Sequence, residues 1–385
     1  MSGSEPVRIA INAASLINPM TGIGQYTFHL ARALELDPRL SLHYFYGYEW
    51  SDRAQPRDIP HIGLIKDWFR RIMPNPYEVS RVLQQNRFSA GLSSRRPQLY
   101  HEPNFLPFQF DGPIVLTVHD LSYIRFAETH PEKRVRVMTK LLPPAIENAA
   151  HILADSEFTR QEIIDEFGVA PDRVTTTLLG VSDAFHPRER ALCMPVLRRH
   201  GLEFGEYILA VGTMEPRKNL LQVIRAYCEM PREFTKRHPL VIVGVQGWKT
   251  EDTHSELAEL LADGRARLLG YLPAAELPIV YSGARLFVYP SLYEGFGLPA
   301  VEAMASGVPV IVSDRTSLPE VSGDAGIAIA PDDIEGMRDA LRLLGEDEAE
   351  RERRASLGVE QAAKFSWARC AEQTAAVYLR VLGNA

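Results

Sequence analysis

Short apolar runs separated by stretches of helical periodicity are the feature that most narrows what this sequence can fold into. Val7 to Ile11, Leu42 to Tyr46, Leu99 to His101, Ile114 to Val118 and Ile152 to Ala154 read as buried strands in the first half. Tyr207 to Val211, Leu240 to Val243, Arg267 to Leu269, Leu286 to Tyr289 and Val308 to Val312 repeat the pattern in the second. Helical patterns lie between them, among them Gln25 to Leu36, Leu220 to Met230, Ser255 to Ala262 and Pro299 to Ser306, and three more follow the last strand, ending with Trp367 to Leu382. Ser156 is a good N-cap for a helix running to Phe167, with Gly168 as its stop. Such alternation predicts an α/β chain with mostly parallel sheets covered on both faces.

At 385 residues the chain is too long for one ordinary core, since domains average about 150 residues. The strand pattern lapses between Asp183 and Gly205, a stretch carrying Pro187, Pro195 and several charges. We therefore expect two doubly wound lobes facing a cleft: residues 1–190 and 191–366. Residues 367–385 would form a C-terminal helix able to fold back on the first lobe. Ligands in such sheets bind at the carboxyl ends of strands, which directs attention to the loops there.

The loop after the run ending at Tyr289 carries two acids, Glu294 and Glu302, with seven residues between them. Gly297, Leu298 and Pro299 form a turn into a helix between these acids. Proline is tolerated in a first helical turn, and the amides of Gly297 and Leu298 then face outward at a helix N-terminus, a place for phosphate or sugar oxygens. Both acids could equally be solvated, but the intervening turn has little structural need of two flanking carboxylates. Gly212 to Asn219 follows another strand and holds Arg217 and Lys218 just ahead of a helix, where two cations and the helix end can converge on a diphosphate. In the first half, His119 and Asp120 follow the run Ile114 to Val118, a pair suited to proton transfer or to binding a sugar hydroxyl, or simply a buried histidine held by its neighbour. Gly22 and Gly24 sit in a loop after the first strand and would let backbone approach a phosphate, although two glycines fall short of a dinucleotide fingerprint.

Several classes are disfavoured. A net charge of −7 argues against a dedicated nucleic-acid binder. The 3 cysteines, Cys193, Cys228 and Cys370, are widely spaced and suggest neither disulfides nor a thiolate metal site. There is no His-x-x-x-His, so we expect no metal and no cofactor, with Arg217, Lys218 and helix-end amides stabilising a diphosphate leaving group. No signal-peptide pattern opens the sequence and no apolar run nears the roughly 18 residues of a membrane span, so a cytoplasmic protein with at most peripheral membrane contact is expected.

Together these residues resemble the retaining glycosyltransferases of family four, which have the two-lobed, Rossmann-like GT-B fold and use nucleotide sugars. The resemblance rests on the Glu294–Glu302 pair, the Gly212 to Asn219 loop, His119, and the later Ser313-Asp314, Leu318 to Val321 and Gly323 to Gly326 segments. It implies that Arg217 and Lys218 hold the donor diphosphate, that Glu302 binds ribose hydroxyls and that Glu294 contacts the transferred sugar. It further implies that His119 touches that sugar from the other lobe, that Gly297 and Leu298 offer amides, and that Gly244 with Tyr271 and Leu272 houses the base. Gly22, Gly24 and Asp120 would line the acceptor side, although Ile23 separates glycines that are often adjacent in the family. Retention in this family is described as same-face attack, with the leaving phosphate helping to deprotonate the acceptor. The Gly-Thr-x-Glu-Pro-Arg-Lys-Asn pattern looks most like bacterial O-antigen and exopolysaccharide mannosyltransferases. It thus implies a GDP-mannose or GDP-rhamnose donor and a lipid-linked saccharide acceptor. A nucleotide-sugar epimerase and a non-catalytic carbohydrate-binding protein of this fold stay open as alternatives.

Residues 66–97 carry Lys66, Arg70, Arg71, Arg81, Arg87, Arg95 and Arg96 against Asp67 and Glu78, a local charge of +5 in an acidic chain, with Trp68, Phe69, Ile72 and Met73 among them. Basic and large apolar residues mixed in this way suit an anionic membrane surface or a lipid-diphosphate acceptor, and equally a surface helix with snorkelling arginines.

Overall fold

The computed structural model describes residues 5–17, 20, 22–57, 76–245, 247 and 251–383. Among them the strands are β1 (Val7–Asn12), β2 (Leu40–Phe45), β3 (Trp50–Ser51), β4 (Leu99–Glu102), β5 (Ile114–Val118), β6 (His151–Ala154) and β7 (Val174–Thr176) in one sheet. A second sheet holds β8 (Ile208–Val211), β9 (Leu240–Val243), β10 (Ala266–Gly270), β11 (Leu286–Tyr289), β12 (Val310–Ser313) and β13 (Ile327–Ile329). The sheet orders are β3-β2-β1-β4-β5-β6-β7 and β10-β9-β8-β11-β12-β13. Every pairing is parallel except that of β3 with β2. The expected pair of doubly wound lobes is therefore present.

The strands are continuous apolar runs because helices cover both faces. All four residues of β11 are buried, from 0% exposed at Leu286 to 4% at Tyr289, between β8 and β12. The chain order reverses between β8 and β11 in the second sheet and between β1 and β4 in the first. Connections diverge to opposite faces at such points and leave a crevice at the carboxyl ends. Arg217 and Lys218 follow β8, and Glu294 follows β11, so the topology alone brings these loops together.

The helix Glu157–Phe167 begins at Ser156, whose hydroxyl accepts from the Thr159 N–H, and ends at Gly168 with φ of 62°. Several details differ from the sequence reading, among them the strands β3, β7 and β13, which it did not contain. The first helix starts at Gly22, not Gln25, and runs to Leu34, so Gly22 and Gly24 belong to its opening turns and not to a loop. Gly24 has a packing reason: a Cβ there would lie 2.6 Å from the Ser15 carbonyl oxygen, whereas Gly22 faces open space. The stretch expected to link the lobes contains a helix, Arg190–Arg199, with Pro195 inside it.

The final helix, Trp367–Val381, packs on Gly22–Leu34 of the first lobe. Trp367 stacks on His29 with centroids 5.2 Å apart, and the Tyr378 hydroxyl is 2.6 Å from His101 Nδ1. Residues 66–75 of the basic segment lie outside the described residues, with Trp68, Phe69, Ile72 and Met73. Of the remainder, Arg81 donates to the Leu106 carbonyl at 3.1 Å and Arg95 lies over the Trp50 ring, while Val82 and Leu83 are exposed on the same helix.

Candidate active site

β11 ends at Tyr289, and the loop beyond it is fastened at each residue that matters. The Glu294 N–H donates to Thr316 Oγ1 at 3.1 Å, and the Ser317 hydroxyl bridges the carbonyls of Glu294 and Phe296, each at 2.9 Å. The helix Leu298–Ala305 then starts from Gly297, whose φ of 106° disfavours a side chain. No side chain caps this helix, Pro299 has no N–H, and the Ala300 N–H is taken by the Gly297 carbonyl at 3.0 Å.

The loop after β8 is equally constrained. Gly212 and Gly244, at the ends of neighbouring strands, have φ of 150° and 147°, and a Cβ on Gly244 would fall 1.9 Å from the Gly212 carbonyl oxygen. Backbone approaches backbone where a side chain would otherwise intrude. Asn219 takes a left-handed conformation, φ 53°, and its amide donates to the carbonyls of Pro290 and Pro331, tying this loop to the one after β11. The turn between them delivers Arg217 and Lys218 inward.

What they meet is Glu294. Lys218 Nζ is 2.6 Å from Glu294 Oε1, and Arg217 Nη1 is 3.2 Å from Oε2. Arg217 also pairs with Glu215 at 2.7 Å, and Lys218 donates to the Tyr289 hydroxyl at 2.8 Å. The two cations and the carboxylate that the sequence assigned to different parts of a ligand are thus in direct contact. Burial opposes ionisation of Glu294, but Lys218 and Arg217 outweigh it and hold the carboxyl down at about 2. Burial likewise works against the Arg217 charge, and Glu294, Asp120 and Glu215 more than offset it. Lys218 is the exception, since burial wins and lowers its pKa.

Glu302 stands apart from this cluster. Burial pushes its carboxyl up to about 7, with the Tyr281 hydroxyl beside it pulling the other way. The direction is opposite to that of Glu294. Of the residues expected around the base, Tyr271 is 60% exposed at the end of β10, whereas Leu272 is buried in the core and has only backbone to offer. Leu298 is partly buried against the same core.

Across the cleft, both ring nitrogens of His119 are occupied by protein. Nδ1 is 2.7 Å from Asp155 Oδ2 and Nε2 is 2.7 Å from the Pro103 carbonyl oxygen. Burial disfavours the imidazolium, but Asp155 and the Pro103 carbonyl prevail and raise its pKa. The ring polar atoms thus hold the first lobe together, and its main chain faces the second lobe: a Cβ on Gly295 would lie 1.7 Å from the His119 carbonyl oxygen. Asp120 accepts from the Ser122 N–H and hydroxyl, which turns its carboxylate toward its own chain at the start of the short helix Ser122–Arg125.

Residues to which the sequence reading gave no bridging role join the lobes. The Gly295 carbonyl accepts from Ser156 Oγ at 2.6 Å and Thr159 Oγ1 at 3.1 Å. Glu320 accepts from the amides of Glu157 and Phe158, at the start of a first-lobe helix. Tyr293 reaches into the first lobe beside Glu162. Among the described residues no group of three or more His, Cys, Asp or Glu side chains converges as a metal site would.

Two family models cover most of the chain: Glycosyltransferase Family 4 matches residues 20–185 and Glycosyl transferases group 1 matches residues 199–361. The sequence is 38% identical over 369 residues to O-antigen chain mannosyltransferase B of Escherichia coli, covering 94% of this chain and 96% of that protein. It is 34% identical over 281 residues to a serotype-specific mannosyltransferase of Escherichia coli, a match spanning 70% of this chain and 33% of the longer relative. Sucrose-phosphate synthase from Thermosynechococcus elongatus shares the fold at a TM-score of 0.78 and 20% identity, over 98% of this chain and 100% of that one. WaaG, a glycosyltransferase involved in lipopolysaccharide biosynthesis, does so at a TM-score of 0.74 and 15% identity, over 96% and 99%. This chain is a glycosyltransferase of the GT-B fold and belongs to the group 1, family 4 glycosyltransferases.

Proposed function

We propose that the chain is a retaining mannosyltransferase that moves mannose from GDP-mannose to a lipid-linked saccharide during synthesis of a surface polysaccharide of the O-antigen type. The sugar and the pathway rest on likeness to O-antigen chain mannosyltransferase B over nearly the whole of both chains. The observation that carries the chemistry is the buried Arg217–Glu294–Lys218 cluster at the switch point of the nucleotide lobe. When a donor enters, its diphosphate replaces the carboxylate as the anion between the two cations. The freed Glu294 turns to the transferred hexose, Glu302 takes the ribose hydroxyls and the Gly297 and Leu298 amides take sugar or phosphate oxygens. Two preorganised cations in a dry site supply the charge stabilisation that a divalent ion supplies elsewhere, worth several kcal/mol, so transfer proceeds without a metal. Glu294 is an ionised carboxylate before the donor enters, which suits electrostatic support of a developing positive sugar better than proton donation. The leaving phosphate assists deprotonation of an acceptor hydroxyl attacking on the same face.

No described helix is long and apolar enough to cross a membrane. Attachment to the inner face of the cytoplasmic membrane is proposed to be peripheral, through the basic segment and the exposed Val82 and Leu83. Nucleoside diphosphate release from GDP-mannose, GDP-rhamnose, UDP-glucose and UDP-N-acetylglucosamine tests the donor. Release confined to GDP-mannose is expected and persists in EDTA, whereas a preference for a UDP-sugar overturns the donor assignment and abolition by EDTA overturns metal independence. Co-flotation with anionic liposomes at low salt tests attachment, and its absence counts against it.

A further inference from the structure

Tyr293 belongs to the nucleotide lobe by sequence and to the acceptor lobe by its side chain. It is 1% exposed although it lies on a loop beside the cleft. Its hydroxyl accepts from the Leu121 N–H at 3.0 Å and donates to Glu162 Oε2. Its ring lies between Phe126 and Phe158, with centroids 5.5 and 5.9 Å away. All four partners come from the first lobe. Glu162 is itself fixed by Arg125, whose Nε is 2.9 Å away and whose Nη1 reaches Glu166 at 3.1 Å.

The main chain of the same residue faces the other way. Its carbonyl accepts from Arg217 Nη1 at 2.6 Å, the Arg217 carbonyl accepts from the Leu292 N–H at 2.8 Å, and Glu294 is the next residue. One residue therefore grips the acceptor lobe with its phenol and holds Arg217 with its backbone, immediately beside Glu294.

We infer that Tyr293 is a positioning residue that couples lobe closure to the placement of Glu294 and Arg217, so that the cluster is set for transfer only while the phenol occupies its socket beside Glu162 and Leu121. This deepens the functional reading above and rests on it for the role of Glu294. Separation of the lobes withdraws the anchor from the Tyr293–Glu294 segment, and closure restores it. A donor bound to the nucleotide lobe alone is thereby kept from reacting before the acceptor lobe is in place, a gating that joins binding geometry to turnover.

The test compares Tyr293→Phe with Glu162→Ala, Glu162→Gln and the double variant Tyr293→Phe/Glu162→Ala, measuring kcat, donor KM and calorimetric affinity for the nucleoside diphosphate. Tyr293→Phe keeps the ring and loses both hydroxyl bonds. It is expected to lower kcat on the order of 10- to 100-fold, as small misplacements at reacting centres do, with nucleotide affinity and donor KM unchanged. Glu162→Ala should match it, Glu162→Gln should restore most of the rate because its amide oxygen still accepts from the phenol, and the double variant should fall no further than the worse single one. An unchanged kcat in Tyr293→Phe, additive losses in the double variant, or a loss of nucleotide affinity equal to the loss of kcat overturns the inference. Should the functional reading itself be wrong, the wild-type enzyme releases no nucleoside diphosphate from any of the four donors, an outcome distinct from all of these.

Discussion

Lys218 Nζ and Glu294 Oε1 are 2.6 Å apart in a site where both side chains are nearly removed from water. A buried ion pair of this kind is weak support for stability, because desolvation of two charges offsets most of their attraction. Removing one partner is another matter, since it strands the other charge. Here the stranded charge would be Lys218, with Arg217 left to Glu215 as its carboxylate partner, and the ligand proposed to occupy the site is an anion able to take the place of Glu294.

That exchange gives a prediction for Glu294→Gln. Without ligand the variant leaves Lys218 without its carboxylate and Arg217 with Glu215 alone, and should lose roughly 3–5 kcal/mol of stability. Bound nucleoside diphosphate supplies the missing charge, so the ligand-induced rise in Tm should be larger in the variant than in the wild type. Differential scanning fluorimetry with and without GDP reads this directly. Turnover should fall on the order of 100- to 1000-fold, as for loss of one preorganised charge contact to the reacting group.

Glu302 titrates where Glu294 does not. Its carboxyl is pushed up to about 7 by burial, so in the free enzyme the ionised form is the disfavoured one. Ribose hydroxyls donate to a carboxylate, and binding therefore favours ionisation. Nucleotide affinity should rise with pH through about 7, as the proton that binding would otherwise have to expel is lost beforehand. Calorimetric Kd values for GDP between pH 6 and 8.5 should show this slope in the wild type and not in Glu302→Gln. A flat wild-type profile would remove Glu302 from ribose binding.

His119 offers a stability test with the opposite sense. Its pKa is raised by Asp155, so the pair's contribution is fully present below the unfolded value near 6.5 and is lost as pH rises through the folded value. Asp155→Asn should cost about 1.5–3 kcal/mol at pH 6, the range for hydrogen bonds to charged groups, and less at pH 9. Urea unfolding at the two values gives the comparison.

What was legible in the sequence was local or repetitive. Ser156 and Gly168 declared both ends of a helix because a cap and a left-handed stop are decided within a few residues. The runs Leu286–Tyr289 and Leu240–Val243 declared strands because burial on both faces leaves no room for polar residues. Less was visible where tertiary packing overrode a local signal. Pro143 and Pro144 lie inside the helix Glu132–Asn148, and β7 is three residues long. The site divides the same way. Glycines and cations after strands pointed to the loops, but nothing local could show that Glu294 pairs with Arg217 and Lys218, that His119 turns inward to Asp155, or that Tyr293 crosses to a partner 131 positions away.

Gly295 is where that non-local geometry can be tested most simply. The residue is needed for closeness rather than for an unusual backbone angle, since a Cβ would meet the His119 carbonyl oxygen at 1.7 Å and its carbon at 2.8 Å, both backbone atoms that cannot swing aside. Its own carbonyl is held by Ser156 and Thr159, so the strain cannot be relieved without opening the contact between lobes. Gly295→Ala should leave each lobe folded, because the added methyl meets the other lobe and not its own core. Small-angle scattering should report a larger radius of gyration than for the wild type. Affinity for nucleoside diphosphate should survive, because Arg217, Lys218 and Glu302 all belong to one lobe, while turnover should fall on the order of 100-fold. An alanine variant with wild-type turnover would mean that catalysis does not need the lobes as close as His119 and Gly295 stand.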